Sequence, residues 1–364
     1  QVRTQAVQDS SWSPQLSLMP PARKSLRSLT NAGERRLTRA GETAAVVIWA
    51  SLLPLSLSFM AFLLRAPLSR RLQLRVRLGR WLMGLYVLWM ATSDRHICRR
   101  GGRPWEWLRR GPLGIWKGFR SYFQANVVYD FDEDEAVFQD GSHIMGSHPH
   151  GIFSLSTWAN IVFHKLVPLD YRIATIAQNF RIPFWRDLLL GLGFVDASRE
   201  TLASLLRQGL SVAIVVGGAE EALDSRPGTN DLTLGARLGF VRLALEHGAA
   251  LVPIFSFGEN ELFHQVVPNP PGSRLRELQQ KGKDHLGFSM PLVVGRWGLP
   301  FPFRERLTTV VGRPLLVAKV EHPSLEDVLA VHSEYVRRLQ DLYDRYVERY
   351  APDAGGLVLR DSKL

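Results

Sequence analysis

Ser211-Val212-Ala213-Ile214-Val215-Val216, closed by Gly217-Gly218, is an apolar and β-branched run with no alternation. A strand wet on one face alternates polar and apolar residues, so this one reads as a strand covered on both faces. Upstream, residues 198–207 put Leu202, Leu205 and Leu206 on one helical face, with Gly209 placed to end the helix. Downstream, a helix marked by Phe240, Leu243 and Ala244 ends at Gly248, and a second buried strand is expected over 249–257. Thr308-Thr309-Val310-Val311 reads as a third, closed by Gly312 and Pro314. Residues 324–350 predict a long amphipathic helix, with Ser324 as N-cap, Asp327 three positions on, and Val328, Tyr335, Leu339, Leu342 and Tyr346 at helical spacing. Strand alternating with helix from about residue 136 predicts an α/β domain.

The chemistry is expected at His148-Pro149-His150-Gly151, just after the apolar step Ile144-Met145-Gly146. An imidazole held on a turn stiffened by proline can take a proton from an alcohol and pass it on. Two other readings stay open: a surface turn with solvated histidines, and a metal site drawing on His143 and His164. No H-E-x-x-H pattern or paired-cysteine spacing supports the metal. No G-x-S-x-G elbow is present and Cys98 lies outside the motif region, which disfavours a hydrolase with a covalent nucleophile.

A net charge of +11 over 364 residues, with a sequence pI near 10.1, points to anionic partners. Lipid head groups and phosphorylated cofactors fit better than nucleic acid, since no zinc finger or RNA-binding aromatic signature accompanies the arginines. The lone cysteine excludes an intramolecular disulfide and fits a cytosol-facing protein; Cys98 itself reads as an incidental surface thiol. Residues 43–64 carry no charge and are long enough to cross a bilayer as a helix, although Pro54 leaves a re-entrant hairpin open. The uncharged run 81–93 suits a buried or interfacial helix. Between them Arg65, Arg70, Arg71, Arg75, Arg77 and Arg80 interleave with leucines, as in segments lying on anionic membranes, and six of the ten tryptophans fall between Trp49 and Trp116. The expected organisation is a disordered basic arm (1–40), a membrane-embedded segment (41–93), an aromatic amphipathic connector (94–130), a catalytic domain (131–350) and a tail (351–364).

Several motifs in order resemble the type-two diacylglycerol acyltransferase family, which also holds monoacylglycerol and wax-alcohol acyltransferases. They are His148-Pro149-His150-Gly151; Asn179-Phe180-Arg181 with Pro183-Phe184-Trp185-Arg186; residues 215–223 around Gly217-Gly218; Arg237-Leu238-Gly239-Phe240-Val241; residues 247–261, ending Gly258-Glu259-Asn260-Glu261; and Thr309-Val310-Val311-Gly312-Arg313-Pro314. The sequence departs at Tyr122-Phe123-Gln124, where the family usually has proline third, and its 265–300 segment is shorter. The resemblance implies a glycerolipid-acyltransferase-like mixed sheet flanked by helices behind an N-terminal membrane segment. It also implies acyl transfer from acyl-CoA to a lipid hydroxyl, with acyl-CoA as co-substrate, no resident cofactor or metal, membrane lipids as partners and homo-oligomers open. On this reading His150 is the lead base, His148 shares or shapes its role, and Glu221 matches the family's acidic residue and orients the imidazole, with Glu220 as alternative. Arg186, Arg237, Gly217 and Gly218 become acyl-CoA-binding candidates, against the plainer readings of solvated arginines and a tight strand exit. The aspartate of the related His-x4-Asp motif is missing. The expected place is the endoplasmic reticulum membrane and lipid droplets; the terminal Ser362-Lys363-Leu364 adds peroxisomes as a lesser option. The competing class is a membrane-bound lipid-binding protein without catalysis.

Overall fold

Strand positions alternate between two apolar layers, and that partition organises the molecule. The computed structural model describes residues 38–65, 73–132, 137–138, 141–270, 272–286 and 291–360. Nearly all of the basic arm, residues 66–72 of the arginine-leucine segment and the terminal Ser362-Lys363-Leu364 lie outside the described residues. The described strands are β1 (Asn126–Tyr129), β2 (His143–His148), β3 (Tyr171–Thr175), β4 (Phe194–Asp196), β5 (Ser211–Val215), β6 (Asn230–Thr233), β7 (Ala250–Phe257), β8 (His264–Gln265), β9 (Val293–Val294), β10 (Thr308–Val311) and β11 (Leu357–Arg360). Seven of them form one sheet in the order β1-β10-β7-β2-β5-β3-β4, parallel at every pairing except β10 on β7. The helices are α1 (Arg39–Arg65), α2 (Gln73–Ala91), α3 (Glu106–Arg109), α4 (Ile115–Tyr122), α5 (Trp185–Leu192), α6 (Arg199–Arg207), α7 (Gly218–Asp224), α8 (Gly239–His247), α9 (Arg274–Leu286) and α10 (Leu325–Tyr350).

Successive strand residues face opposite ways. Met145, Ala213, Val252, Ile254 and Val311 pack with α4, α5 and the start of α1, whereas Ile144, Val212, Leu251, Phe255 and Val310 pack with α6, α8 and α10. Both faces of β5 and β7 are thus covered, which is why their sequences show no alternation. Helix α10 opens on a reciprocal cap: Ser324 Oγ accepts the Asp327 N–H at 3.1 Å and Asp327 accepts the Ser324 N–H at 2.8 Å.

Helix α1 is the one described helix long and apolar enough to cross a membrane, and its two halves differ. Its first half docks on the core. Ala45 and Val46 are buried, Trp49 meets Phe119 and Trp158 at 5.4 Å, and Glu42 accepts from the Arg304 guanidinium at 2.5 Å. Its second half exposes Leu55, Leu57, Phe59 and Phe62. Helix α2 likewise exposes Leu78, Trp81, Leu82, Leu85 and Leu88, so of the two expectations for this run, a buried or an interfacial helix, the buried one does not hold.

Two further expectations change, and one departure gains a reason. Strands β1 and β11 lie outside the 131–350 span expected for the catalytic domain, yet both pair into it. Cys98 is buried, not a surface thiol, and burial pushes its pKa up. Gln124 has φ 44°, which a proline ring cannot adopt, so the family's proline would not fit this backbone.

Candidate active site

Strands β2, β5 and β7 run parallel, so their carboxyl ends open on the same edge of the sheet. In α/β folds that edge collects site residues. His148 ends β2; the turn after β5 leads to Glu221 in the first turn of α7; Glu259 stands two residues past β7. The segment 148–156 lies between these two carboxylates.

Glu221 is 2% exposed, and its oxygens accept the His150 N–H at 2.5 Å and the Thr233 N–H at 3.0 Å. Glu259, also 2% exposed, accepts the Leu155 N–H at 2.9 Å and the Ser156 N–H at 2.6 Å. Burial pushes both up to about 7 although each gains two backbone donors. Two glycines make this fit. A Cβ on Gly151, at φ +60°, would stand 2.4 Å from Glu259 Cγ, and one on Gly217 would stand 2.0 Å from a Glu221 carboxylate oxygen. Gly217 therefore makes room for Glu221, while Gly218 turns with φ +63° into open space.

The two histidines of the motif differ in access. His148 is 1% exposed, its Nε2 lies 3.0 Å from the Tyr335 hydroxyl of α10, and burial drives its pKa down to about 3. Gly146 admits that hydroxyl, because a Cβ there would lie 2.1 Å from it. His150 is half-buried. Its Nδ1 lies 2.9 Å from the Gly151 carbonyl, and a carbonyl only accepts, so Nδ1 carries the proton and the lone pair is on Nε2. Burial lowers its pKa and keeps the ring neutral.

Glu221 was expected to orient the His150 imidazole; it holds the His150 backbone amide instead, and the Gly151 carbonyl fixes the ring. Glu220 is drawn away to Arg237 at 3.2 Å, so of the two adjacent glutamates Glu221 reaches the loop. Arg237 stays partly exposed. Arg186 does not. Its side chain is 2% exposed and pairs with Asp94 at 2.8 Å; Arg103 bridges Asp94 and Asp187 at 3.2 Å each, and both guanidiniums sit over Trp89 of α2. Arg186 thus ties α2 to α5 and is not the solvated arginine of the plainer reading. Among the described residues no three His, Cys, Asp or Glu side chains converge as a metal site: His164 meets Arg120, and His148 meets Tyr335.

Glu259 and Tyr335 escaped sequence reasoning as site residues. The signal for Glu259 lay in its place, a carboxylate just past a buried strand and a glycine, as Glu221 also is. Tyr335 read only as one more apolar position of α10.

A neutral imidazole with a fixed tautomer, on a loop clamped by two buried carboxylates, has the chemistry to take up a proton and return it. The sequence matches the family model described as diacylglycerol acyltransferase over residues 76–360. It is 38% identical to diacylglycerol O-acyltransferase 2B of Umbelopsis ramanniana, over 87% of this chain and 90% of that one. It is also 38% identical to diacylglycerol O-acyltransferase 2 of Dictyostelium discoideum (85% and 92%) and to that of Homo sapiens (74% and 72%). The crystal structure of the 1-acyl-sn-glycerophosphate acyltransferase PlsC from Thermotoga maritima aligns with a TM-score of 0.37 at 14% identity, covering 73% of this chain and 97% of that one. The chain belongs to the diacylglycerol acyltransferase family.

Proposed function

We propose that this protein is an acyl-CoA:diacylglycerol O-acyltransferase that makes triacylglycerol with His150 as general base and without a covalent acyl-enzyme. The observation that carries this reading is the His150 ring, half-open and with its lone pair on Nε2. Nε2 takes the proton of the acceptor hydroxyl as that oxygen attacks the thioester carbon. The tetrahedral oxyanion collapses, the carbon–sulfur bond breaks, and the departing thiolate takes the proton back from the imidazolium. The tetrahedral oxyanion is received by backbone amides of the glycine-containing turn that follows His150. Ser154 donates its hydroxyl to the His150 carbonyl at 2.9 Å, away from any imidazole, which disfavours it as a nucleophile. Arg237, partly exposed beside α7, is the arginine most open to the acyl-CoA phosphates, with Gly217 and Gly218 at the strand exit as backbone candidates.

The uncovered apolar surfaces of α1 and α2 support membrane attachment, and we assign the protein to the endoplasmic reticulum membrane and its lipid droplets. An alkaline carbonate wash should leave it in the pellet; release of intact chain would contradict attachment by α1. The decisive assay presents the chain in nanodiscs with labelled acyl-CoA and, separately, diacylglycerol, monoacylglycerol and a fatty alcohol. Triacylglycerol is the expected main product. A preference for either other acceptor would reassign the substrate within the family, and no transfer to any of the three would favour a lipid-binding protein.

A further inference from the structure

Strand β6 joins no strand of the seven-stranded sheet; among the described residues its one ladder partner is β11, near the end of the chain. The pairing is parallel and sets Thr233 against Arg360. Three contacts lock it. The Gly235 N–H donates to the Arg360 carbonyl at 3.2 Å, Arg360 pairs with Asp231 at 2.6 Å, and Asn230 donates to the Gly355 carbonyl at 3.3 Å. The Thr233 amide is also the donor that fixes one oxygen of Glu221, whose other oxygen receives the His150 amide.

We infer that the C-terminal strand β11 is a positioning element of the active site, acting through Thr233 and Glu221 on the His150 loop. This rests on the reading of His150 as base. A two-stranded ladder is marginal alone, so β6 without β11 is left with the buried Leu232, the Thr233 bond to α7 and its contacts to α10, where Tyr343 accepts from Asn230 at 2.8 Å and His332 meets the Leu234 carbonyl at 3.1 Å. Loss of β11 frees Thr233 to move, and a shift of about 1 Å in a supporting group lowers turnover while leaving substrate binding remote from it intact.

The test compares the full chain with one lacking residues 357–364 and one lacking only 361–364, all in membranes. The longer deletion should lower kcat about tenfold with KM for acyl-CoA within about twofold, and the shorter should match the full chain. In a Glu221→Gln background the longer deletion should add almost nothing, because both lesions act on one path. Val358→Pro, at an exposed side chain whose backbone faces β6 by the same alternation that turns the Thr233 amide to Glu221, removes a ladder donor without shortening the chain and should reproduce the loss. An unchanged kcat after the longer deletion, or a loss that multiplies with that of Glu221→Gln, overturns the inference. Failure of both the deletion and Val358→Pro to give folded protein also overturns it, since the strand's role is then purely structural. If Glu221→Gln itself leaves turnover intact, the assignment of Glu221 fails, whatever the strand does.

Discussion

Glu259 reaches the catalytic loop from the end of β7, eight buried residues flanked by β2 and β10, whereas Glu221 reaches it from a seven-residue helix steadied by a peripheral two-stranded ladder. Both carboxylates are equally buried, both accept two backbone amides, and both are pushed up to about 7. Their foundations set them apart. One wall of the loop belongs to the core sheet, and the other depends on the fold's edge and the last residues of the chain. A fixed wall defines where the loop lies; a dependent wall lets distant parts of the molecule adjust His150.

The sharpest way to break the fixed wall is Gly151→Ala. The new methyl meets the Glu259 side chain and the position has φ +60°, so kcat should fall about hundredfold or more, as for other misplacements of a catalytic group. Near-normal turnover with protein still at the membrane would show that the loop is not clamped there. Glu221→Gln and Glu259→Gln should each lower turnover about tenfold, because an amide turns one accepting oxygen into a donor facing an N–H. The comparison predicts that they differ in stability: a buried amide left unmatched costs about 1–3 kcal/mol, felt fully by Glu259 in the core and partly relieved at Glu221 by movement of β6. Equal losses on denaturation would erase the distinction.

Both walls titrate together. Below pH 7 the two carboxylates take up protons and cease to accept two amides each, so kcat should fall on the acid side, returning on back-titration. Stability runs the other way. A folded-state pKa raised from 4.5 to about 7 means the native protein binds more protons in that window, so these groups' contribution to stability decreases as pH rises from about 4.5 to about 7. Turnover constant from pH 5.5 to 8 would contradict the clamp. The smallest effect is expected from Tyr335→Phe, which removes one hydrogen bond from enclosed His148. It should cost about 1 kcal/mol and change kcat less than about threefold.

Much of the fold is legible where apolar spacing is long enough to declare itself. Strands β5, β7 and β10 and helices α6, α8 and α10 follow from β-branched runs, glycine stops and the Ser324–Asp327 cap. Strands β1 and β4 are too short to show a period, and β2 contains His143, Gly146, Ser147 and His148, whose burial depends on neighbours far away in sequence. The histidine motif and Glu221 could be picked out by chemistry, but which atoms meet could not. Only the fold shows that Glu221 holds an amide, that Arg186 is consumed by Asp94, and that β11 returns to β6. Those contacts join residues about 70, 90 and 130 positions apart, beyond any local pattern.

In the proposed mechanism Nε2 of His150 takes the proton of the acceptor hydroxyl. This step is tested most directly by His150→Ala in nanodiscs with labelled acyl-CoA and diacylglycerol, beside His148→Ala. His150→Ala should retain membrane attachment and fold while triacylglycerol formation falls about a hundredfold or more, with no labelled acyl group left on the protein. His150→Ala protein that forms triacylglycerol at near the full-chain rate, or activity abolished by His148→Ala alone, would contradict the account.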